Sequence, residues 1–599
     1  MHIARPGQLC LRPRHPVQLR LFHTLLYIPL QIHGGSSTHP PMLCWLHRSN
    51  RLISTNTRLL YRRYSSVEQV LEKPFYVTTP IFYPNAVPHI GHLYTIVTAD
   101  IIARHARLTR PDRPVYFMTG TDEHGLKIQK AAKEKGLEPS VFCDQLSEHF
   151  RALAEKADTS HTRFLRTTEQ AHHEAVQDVW RKLDAKGLIY KGSHQGWYSI
   201  SDECFYTDSQ IKRVDTPVGP SVVSIETGST VEWMEEENYK FRLSAFRDAL
   251  LERYQTDARV IFPPHQHSVV LDMLSSPLED LSISRPRSRL HWGIPVPNDP
   301  DHTMYVWFDA LTVYLTATGY PWGKNSAKDV MSAWPPNLQI IGKDIVRFHA
   351  IYFPAMLLAL DFPLPQRLLA HSHWTVNRLK MSKSIGNVAD PIQAIDIYGV
   401  DLVRYYLARV GGHFKNDVDW SIEQLEKFTF ELQSLLGNFY LRINSAAIRK
   451  RLPQGAPASS SSILESCRDL PELRDIVSDL VRLSLDVDAH LSELRVADAL
   501  DEIIKQLQAA NQMLTVTEPW SKNTPSEKVE QICALSLELL RICGILLQPF
   551  TPSKATQLLD ALGVPADKRG WTQAGFCGGP IGSVQPSVKL FQPRPPVPE

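Results

Sequence analysis

Apolar residues recur along the first half of the chain in two alternating rhythms. One is a short aromatic and β-branched run; the other is a longer stretch with apolar positions three and four apart. Phe75-Tyr76-Val77-Thr78 is of the first kind and reads as a strand suited to a pleated, buried surface. From residue 92 to 109, Leu93, Ile96, Val97 and Ile101 share one face and Asp100 stands four residues before Arg104, which reads as a helix ending near Pro111. Val115-Tyr116-Phe117-Met118-Thr119 supplies a second strand. Strand, helix, strand in that order is one βαβ crossover and implies a parallel sheet covered by helices.

The rhythm is mostly helical from 126 to 187. From Leu188 to about Glu279 it changes to short runs such as Trp197-Tyr198-Ser199-Ile200 broken by Gly and Pro, which predicts an inserted module of mixed strand character. The parallel-sheet pattern then returns. Tyr305-Val306-Trp307-Phe308-Asp309 reads as a strand running into a helix that carries Tyr314. Leu338-Gln339-Ile340-Ile341 and Leu368-Leu369-Ala370 read as further strands, flanking a helix with Phe348, His349, Phe353 and Leu357. Beyond about Phe428 only helical periodicity remains, over 422–447, 470–487, 495–516 and 526–547, interrupted by a Pro- and Ser-rich linker at 453–462. The expected fold is therefore α/β: a Rossmann-like parallel-sheet domain split by a mixed α/β insertion, followed by an all-α helix bundle. The Pro-rich tail from about Gly578 is expected to pack along the surface or fray.

Composition changes this picture at one end. The first 67 residues hold nine arginines, no lysine and no acid before Glu68, which is the composition of a mitochondrial transit peptide. A basic membrane- or RNA-binding arm is the competing reading. Without the leader's nine arginines, 56 Lys and Arg stand against 63 Asp and Glu, a net charge of −7. Such a chain cannot hold nucleic acid by bulk attraction, so any such partner must meet a local basic patch. No apolar run is long enough for a transmembrane helix, and no membrane association is expected. The eight cysteines contain no CxxC pair, which argues for a reducing compartment and against a cysteine-based zinc site.

Three stretches carry candidate chemistry. Thr79-Pro-Ile-Phe-Tyr-Pro-Asn-Ala-Val-Pro-His-Ile-Gly-His92 is a Pro-rich turn between a strand and a helix. It would place the helix's free N–H groups, His89 and His92 at the sheet edge, with Gly91 allowing close approach, an arrangement suited to phosphate. Gly120-Thr-Asp-Glu-His-Gly125 follows the second strand. Asp122 there could hold a ligand ammonium or cap the next helix. Lys380-Met-Ser-Lys-Ser384, closed by Gly386, is a loop suited to polyphosphate, or a plain solvated loop. Each is weak alone. A small nucleotidyltransferase would share the first and third, but would lack the helical bundle.

His89-Ile90-Gly91-His92 and Lys380-Met381-Ser382-Lys383-Ser384, ordered in two halves of one parallel-sheet domain, resemble the signatures of class I aminoacyl-tRNA synthetases. With GWYSISDECFY, EEENYKFRLS, YVWFDAL, GKDIVRFH, LLGN and TEPW, the chain from roughly Phe75 to Leu562 resembles the methionyl-tRNA synthetases in their mitochondrial form. The resemblance implies ATP-dependent activation of L-methionine and transfer to tRNA(Met). It implies phosphate binding by His89, Gly91, His92, Lys380, Met381, Ser382, Lys383 and Ser384, with His89, His92, Lys380 and Lys383 in the chemistry. Ile81, Tyr83, Trp307, Ala310, Tyr314 and His349 match positions that enclose the methionine side chain, and Asp122 the carboxylate that binds its ammonium. Asn438, Arg442 and Trp520 match anticodon readers.

The implied division is a leader at 1–67, catalytic halves at 74–187 and 280–388, and a connective insertion at 188–279. A stem-contact connection at 389–424, a helical anticodon-binding domain at 425–562 and a tail at 563–599 complete it. ATP with Mg2+ is the expected cofactor. The insertion lacks the paired cysteines many members carry, so no zinc is expected and no residue is assigned as a metal ligand, and Thr429 and Ser434 stand where relatives usually have asparagines. A monomer in the mitochondrial matrix is expected.

Overall fold

The computed structural model describes residues 72–216, 219–322, 333–381, 387–452 and 460–592. The expected leader, the segment 382–386 and most of the 453–462 linker lie outside the described residues.

A parallel sheet carries the N-terminal half. Six strands take part: β1 (Phe75–Phe82), β2 (Val115–Thr121), β3 (Arg163–Arg166), β6 (Ile261–Phe262), β7 (Leu338–Gly342) and β8 (Arg367–His371). Their spatial order is β3-β2-β1-β7-β8-β6, and every neighbouring pair is parallel. The order runs outward in both directions from β1 and β7, so the topological switch point lies between these two strands. Helix α1 (Ile90–Thr109) follows β1, and α2 (Leu126–Glu134) follows β2. β3 falls within the stretch expected to be mostly helical; at four residues it is too short for periodicity to register.

Two further expectations are corrected. Tyr305 to Asp309 is not a strand: the strand is Asp299–Met304, and helix α3 starts at Val306 and runs to Thr316. Ten of its eleven residues are buried, so it lacks the polar face by which a helix is normally recognised. The stretch 188–279 is also not wholly an insertion. Its first part is an antiparallel sheet built on β4 (Ile189–Ser199) and β5 (Glu232–Phe241). Its second part is helical and returns β6 to the edge of the main sheet beside β8. Two residues of strand between helices leave no alternating pattern to read.

The C-terminal half is helical as expected, with α4 (Ile422–Leu432), α5 (Pro471–Ser492), α6 (Val496–Thr517) and α7 (Ser526–Leu547). A further helix, Pro552–Ala561, lies within the expected all-α region at 425–562, outside the four periodic runs. The bundle does not stand apart, because one continuous apolar core includes Val77 and Leu93 of the sheet domain and Leu480, Leu507 and Leu540 of the bundle. Through it runs a buried ion pair: Arg404 lies 2.7 Å from Asp100 of α1 and also donates to the carbonyls of Ala157, Pro549 and Phe550. The tail packs rather than frays over its described part, where Leu590 is buried and Phe591 lies against Gly437.

Candidate functional site

The carboxyl end of β1, the loop after β2, helix α3 and the helical segment following β7 line a small cavity with Pro80, Ile81, Asp122, Trp307, Ala310, Leu311, Tyr314 and His349. A crevice outside strand ends at a switch point is where open α/β sheets bind ligands. Six of the seven residues matched to the methionine pocket therefore meet in one cavity. The seventh, Tyr83, stands beside it, and its hydroxyl donates to the His124 carbonyl at 2.8 Å.

One wall comes from α3. Trp307, Ala310, Leu311 and Tyr314 occupy positions i, i+3, i+4 and i+7 and so share a single helical face. Leu311 is not among the residues matched by resemblance; its helical spacing from Trp307 and Tyr314 marks it. Trp307 is held by stacking on Phe348, with ring centroids 3.8 Å apart. Opposite it, the Nδ1–H of His349 donates to the Ile345 carbonyl at 3.0 Å, which leaves Nε2 to accept from the Tyr314 hydroxyl at 2.7 Å. Burial pushes the His349 imidazole down to about 4, so the ring is neutral.

The polar end is Asp122. It is 5% exposed, and its Oδ1 is buried without a hydrogen-bond partner among the described residues. Burial, then the charges of Asp309 and Glu203, push its carboxyl well above the usual carboxylate range. An orphaned buried carboxylate oxygen beside an apolar slot suits an ammonium joined to an apolar side chain. The helix-capping alternative fails: α2 is preceded by Gly125 and has no side-chain cap from its own segment. The loop is fixed from behind by Asp309, which is buried and accepts from His124 Nδ1 at 2.5 Å and His172 Nε2 at 2.6 Å.

At the start of α1 the two histidines act differently from expectation. His89 Nδ1 accepts from the Gly91 N–H and His92 Nδ1 accepts from the His89 N–H, each at 3.0 Å. The Ile90 N–H is taken by the Ala389 carbonyl, and those of His92 and Leu93 by the His89 carbonyl. The helix's first N–H groups are thus satisfied within the protein and are not free for phosphate. Gly91 serves the same cap, because a Cβ there would lie 2.8 Å from the His89 ring. What the arrangement offers instead is two imidazoles stacked at 3.9 Å, each with Nδ1 accepting and hence Nε2 bearing the proton. Burial and the neighbouring His89 push His92 well below the ordinary histidine range.

Leu379 and Lys380 form a short strand paired with Thr375 and Val376, and Met381 is buried in the main core. The root of the lysine loop is therefore anchored, while Ser382, Lys383 and Ser384 lie outside the described residues. In the bundle, Asn438 is exposed, and four residues on Arg442 lies 5.7 Å over the ring of Trp520, which is 40% exposed. Asn511, absent from the sequence-level candidates, accepts from Arg442 at 3.3 Å. Arg451 grips the Trp520 loop, donating to the carbonyls of Pro519, Ser521 and Thr524.

The insertion's residues do not fit zinc. Cys204 is the sole cysteine there, and burial pushes its thiol up to about 12. Asp202 is engaged by the hydroxyls of Tyr206, Thr227 and Ser229 at 2.6–2.9 Å. Among the described residues no group of three or more His, Cys, Asp or Glu could hold a metal ion.

A parallel sheet split by an insertion, with stacked histidines after the first strand and a lysine loop after the last, defines a class I aminoacyl-tRNA synthetase. The family described as tRNA synthetases class I (M) matches residues 75–444, and the anticodon binding domain of methionyl tRNA ligase matches 469–576. The chain is 42% identical over 533 residues to a probable mitochondrial methionine-tRNA ligase of Schizosaccharomyces pombe, covering 88% of this chain and 94% of that protein. It is 44% identical to the human mitochondrial methionine-tRNA ligase, over 82% of this chain and 84% of the other. The Mycobacterium tuberculosis methionyl-tRNA synthetase bound by methionyl-adenylate superposes with a TM-score of 0.78 at 37% identity, covering 87% of this chain and all of that one. The chain belongs to the methionine-tRNA ligase family.

Proposed function

We infer that the protein is an ATP-dependent methionine-tRNA ligase of mitochondria, acting in the matrix as a monomer. The observation that supports this most is the cavity itself: an apolar slot floored by Ile81 and walled by Trp307, Ala310 and Tyr314, with one unpaired carboxylate oxygen on Asp122. A thioether packs well against aromatic walls, at about 0.3–1.5 kcal/mol per contact, and the ammonium would complete Asp122.

The reaction is in-line attack of the methionine carboxylate on the α-phosphorus of ATP, giving methionyl-adenylate and pyrophosphate. The terminal ribose hydroxyl of tRNA(Met) then attacks the adenylate carbonyl, forming the ester and releasing AMP. Neither step needs a protein nucleophile, so catalysis is positioning and charge stabilisation. His89 and His92 donate from Nε2–H to the triphosphate, with Gly91 keeping His89 in its cap. Lys380 and Lys383, with Ser382 and Ser384 of the same loop, close onto the pyrophosphate, whereas Met381, expected among the phosphate-binding residues, is buried in the core and anchors the loop's root. ATP enters as its Mg2+ complex. Residues 425–562 read the anticodon through Asn438, Arg442 and Trp520, and 389–424 connects them to the catalytic halves.

The test is methionine-dependent ATP–pyrophosphate exchange by the purified chain, followed by charging of mitochondrial tRNA(Met). Exchange that another amino acid supports equally well would refute the reading.

A further inference from the structure

Glu203 belongs to the insertion, yet its side chain ends beside the methionine pocket. It is 5% exposed and sits at φ +54°, a left-handed conformation that costs a non-glycine residue on the order of 1 kcal/mol or more. One carboxylate oxygen accepts from the Lys127 N–H at 2.5 Å and from the Tyr83 hydroxyl at 3.3 Å; the other accepts from the Tyr198 hydroxyl at 3.1 Å. Helix α2 has no cap of its own, so a residue far along the chain caps it. Gly125 is the space that makes this possible: at φ +106°, its Cβ would lie 2.5 Å from the Tyr83 hydroxyl and 3.1 Å from Glu203 Oε1.

The contacts continue to the pocket. Tyr83 holds the His124 carbonyl at 2.8 Å, two residues along the same loop from Asp122. A single short loop therefore carries the Glu203–Tyr83 contact at His124 and, two residues before it, the group expected to meet the substrate ammonium.

We propose that Glu203 is a positioning residue for amino-acid binding, through which the insertion forms part of the methionine site without a metal. The proposal rests on the methionine-ligase reading. Glu203 also adds charge: Asp122 faces Asp309 of α3, Glu123 and His124 of its own loop, Tyr83 after β1, Tyr314 of α3 and Glu203 of the insertion. Neutralising Glu203 removes one like charge from beside Asp122.

The test compares Glu203→Gln, Glu203→Ala, Tyr83→Phe and the Tyr83→Phe/Glu203→Ala double variant in pyrophosphate exchange at several pH values. Glu203→Ala is expected to raise the methionine KM about tenfold and to leave the ATP KM within about twofold. The double variant should be no worse than the poorer single one. Glu203→Gln, which keeps the shape, should move the acid limb of kcat/KM for methionine to lower pH. Equal rises in both KM values, additive effects in the double variant, or an unmoved acid limb in Glu203→Gln would overturn the proposal. Absence of methionine-dependent exchange in the unaltered protein would instead refute the reading beneath it.

Discussion

Tyr314 and His349 are joined by a 2.7 Å hydrogen bond whose direction is settled by the opposite side of the ring, where Nδ1 is committed to the Ile345 carbonyl. His349 Nε2 must accept, and Tyr314 must donate. Tyr314→Phe therefore leaves a buried acceptor unpaired, at a cost of about 1–3 kcal/mol. The expected result is a lower midpoint in thermal unfolding together with a raised methionine KM. A variant as stable as the parent would show that water or another donor replaces the hydroxyl.

Asp122→Asn keeps the shape of the polar end and removes its charge. With no ammonium partner, kcat/KM for methionine should fall by about two orders of magnitude, as expected for a lost charge-assisted contact, while ATP KM stays near its original value. In the unaltered enzyme the raised carboxyl of Asp122 predicts that methionine binds more weakly as pH falls, because the protonated form dominates below that pKa. Isothermal titration should show proton release on binding in the same range.

Burial pushes His349 and His371 each down to about 4 from an ordinary 6.5. Between those values the unfolded chain binds more protons than the folded one. The corresponding stability is present above the unfolded value and is lost as pH falls towards the folded one. Thermal midpoints measured from pH 7.5 down to 5 should therefore decline, and His371→Asn should decline less steeply.

Lys383→Ala is expected to lose most of kcat in pyrophosphate exchange while methionine affinity survives, since the loop would act on phosphates alone. Unchanged exchange in this variant would remove the loop from the mechanism.

Trp520→Ala should cripple tRNA charging and leave amino-acid activation nearly intact, because stacking on a base is worth about 1–3 kcal/mol. Arg451→Ala should do the same more mildly, since it releases the loop that presents the ring. Equal losses in activation and charging would assign both residues to packing.

Breaking the buried pair of Arg404 and Asp100 by Arg404→Leu should cost about 3–5 kcal/mol, because Asp100 would keep a buried charge with one partner fewer. Denaturant unfolding measures this directly.

How much of this was legible in the sequence depended on the physical signal each part leaves. β1, α1, β2 and the bundle helices have long, regular periodicity, and the structure places them close to where the pattern does. The first turn of α3 reads as a strand because a helix buried all round looks like a continuous apolar run, while its remainder is expected as helix. β3 and β6 are too short to show a rhythm. In the pocket, Asp122 is legible from the strand end alone, while the assignment of Ile81, Tyr83, Trp307, Ala310, Tyr314 and His349 comes from family resemblance. The capping of α1 by its own histidines could not be read, because it depends on which ring nitrogen faces the backbone. Glu203 and Asp309 were missed because their partners are distant in sequence, and no local pattern marks a buried carboxylate.

The position of β1 in the sheet has a consequence for how the chain acquires its fold. Its neighbour on one side, β2, follows directly after α1; its neighbour on the other side, β7, begins only at Leu338. In a chain that emerges or is threaded N-terminus first, one flank of the central strand stays without a ladder until the whole insertion and α3 have followed. An exposed strand edge of that kind pairs readily with other chains. That flank of β1 is the edge left open to mispairing until Leu338 has followed.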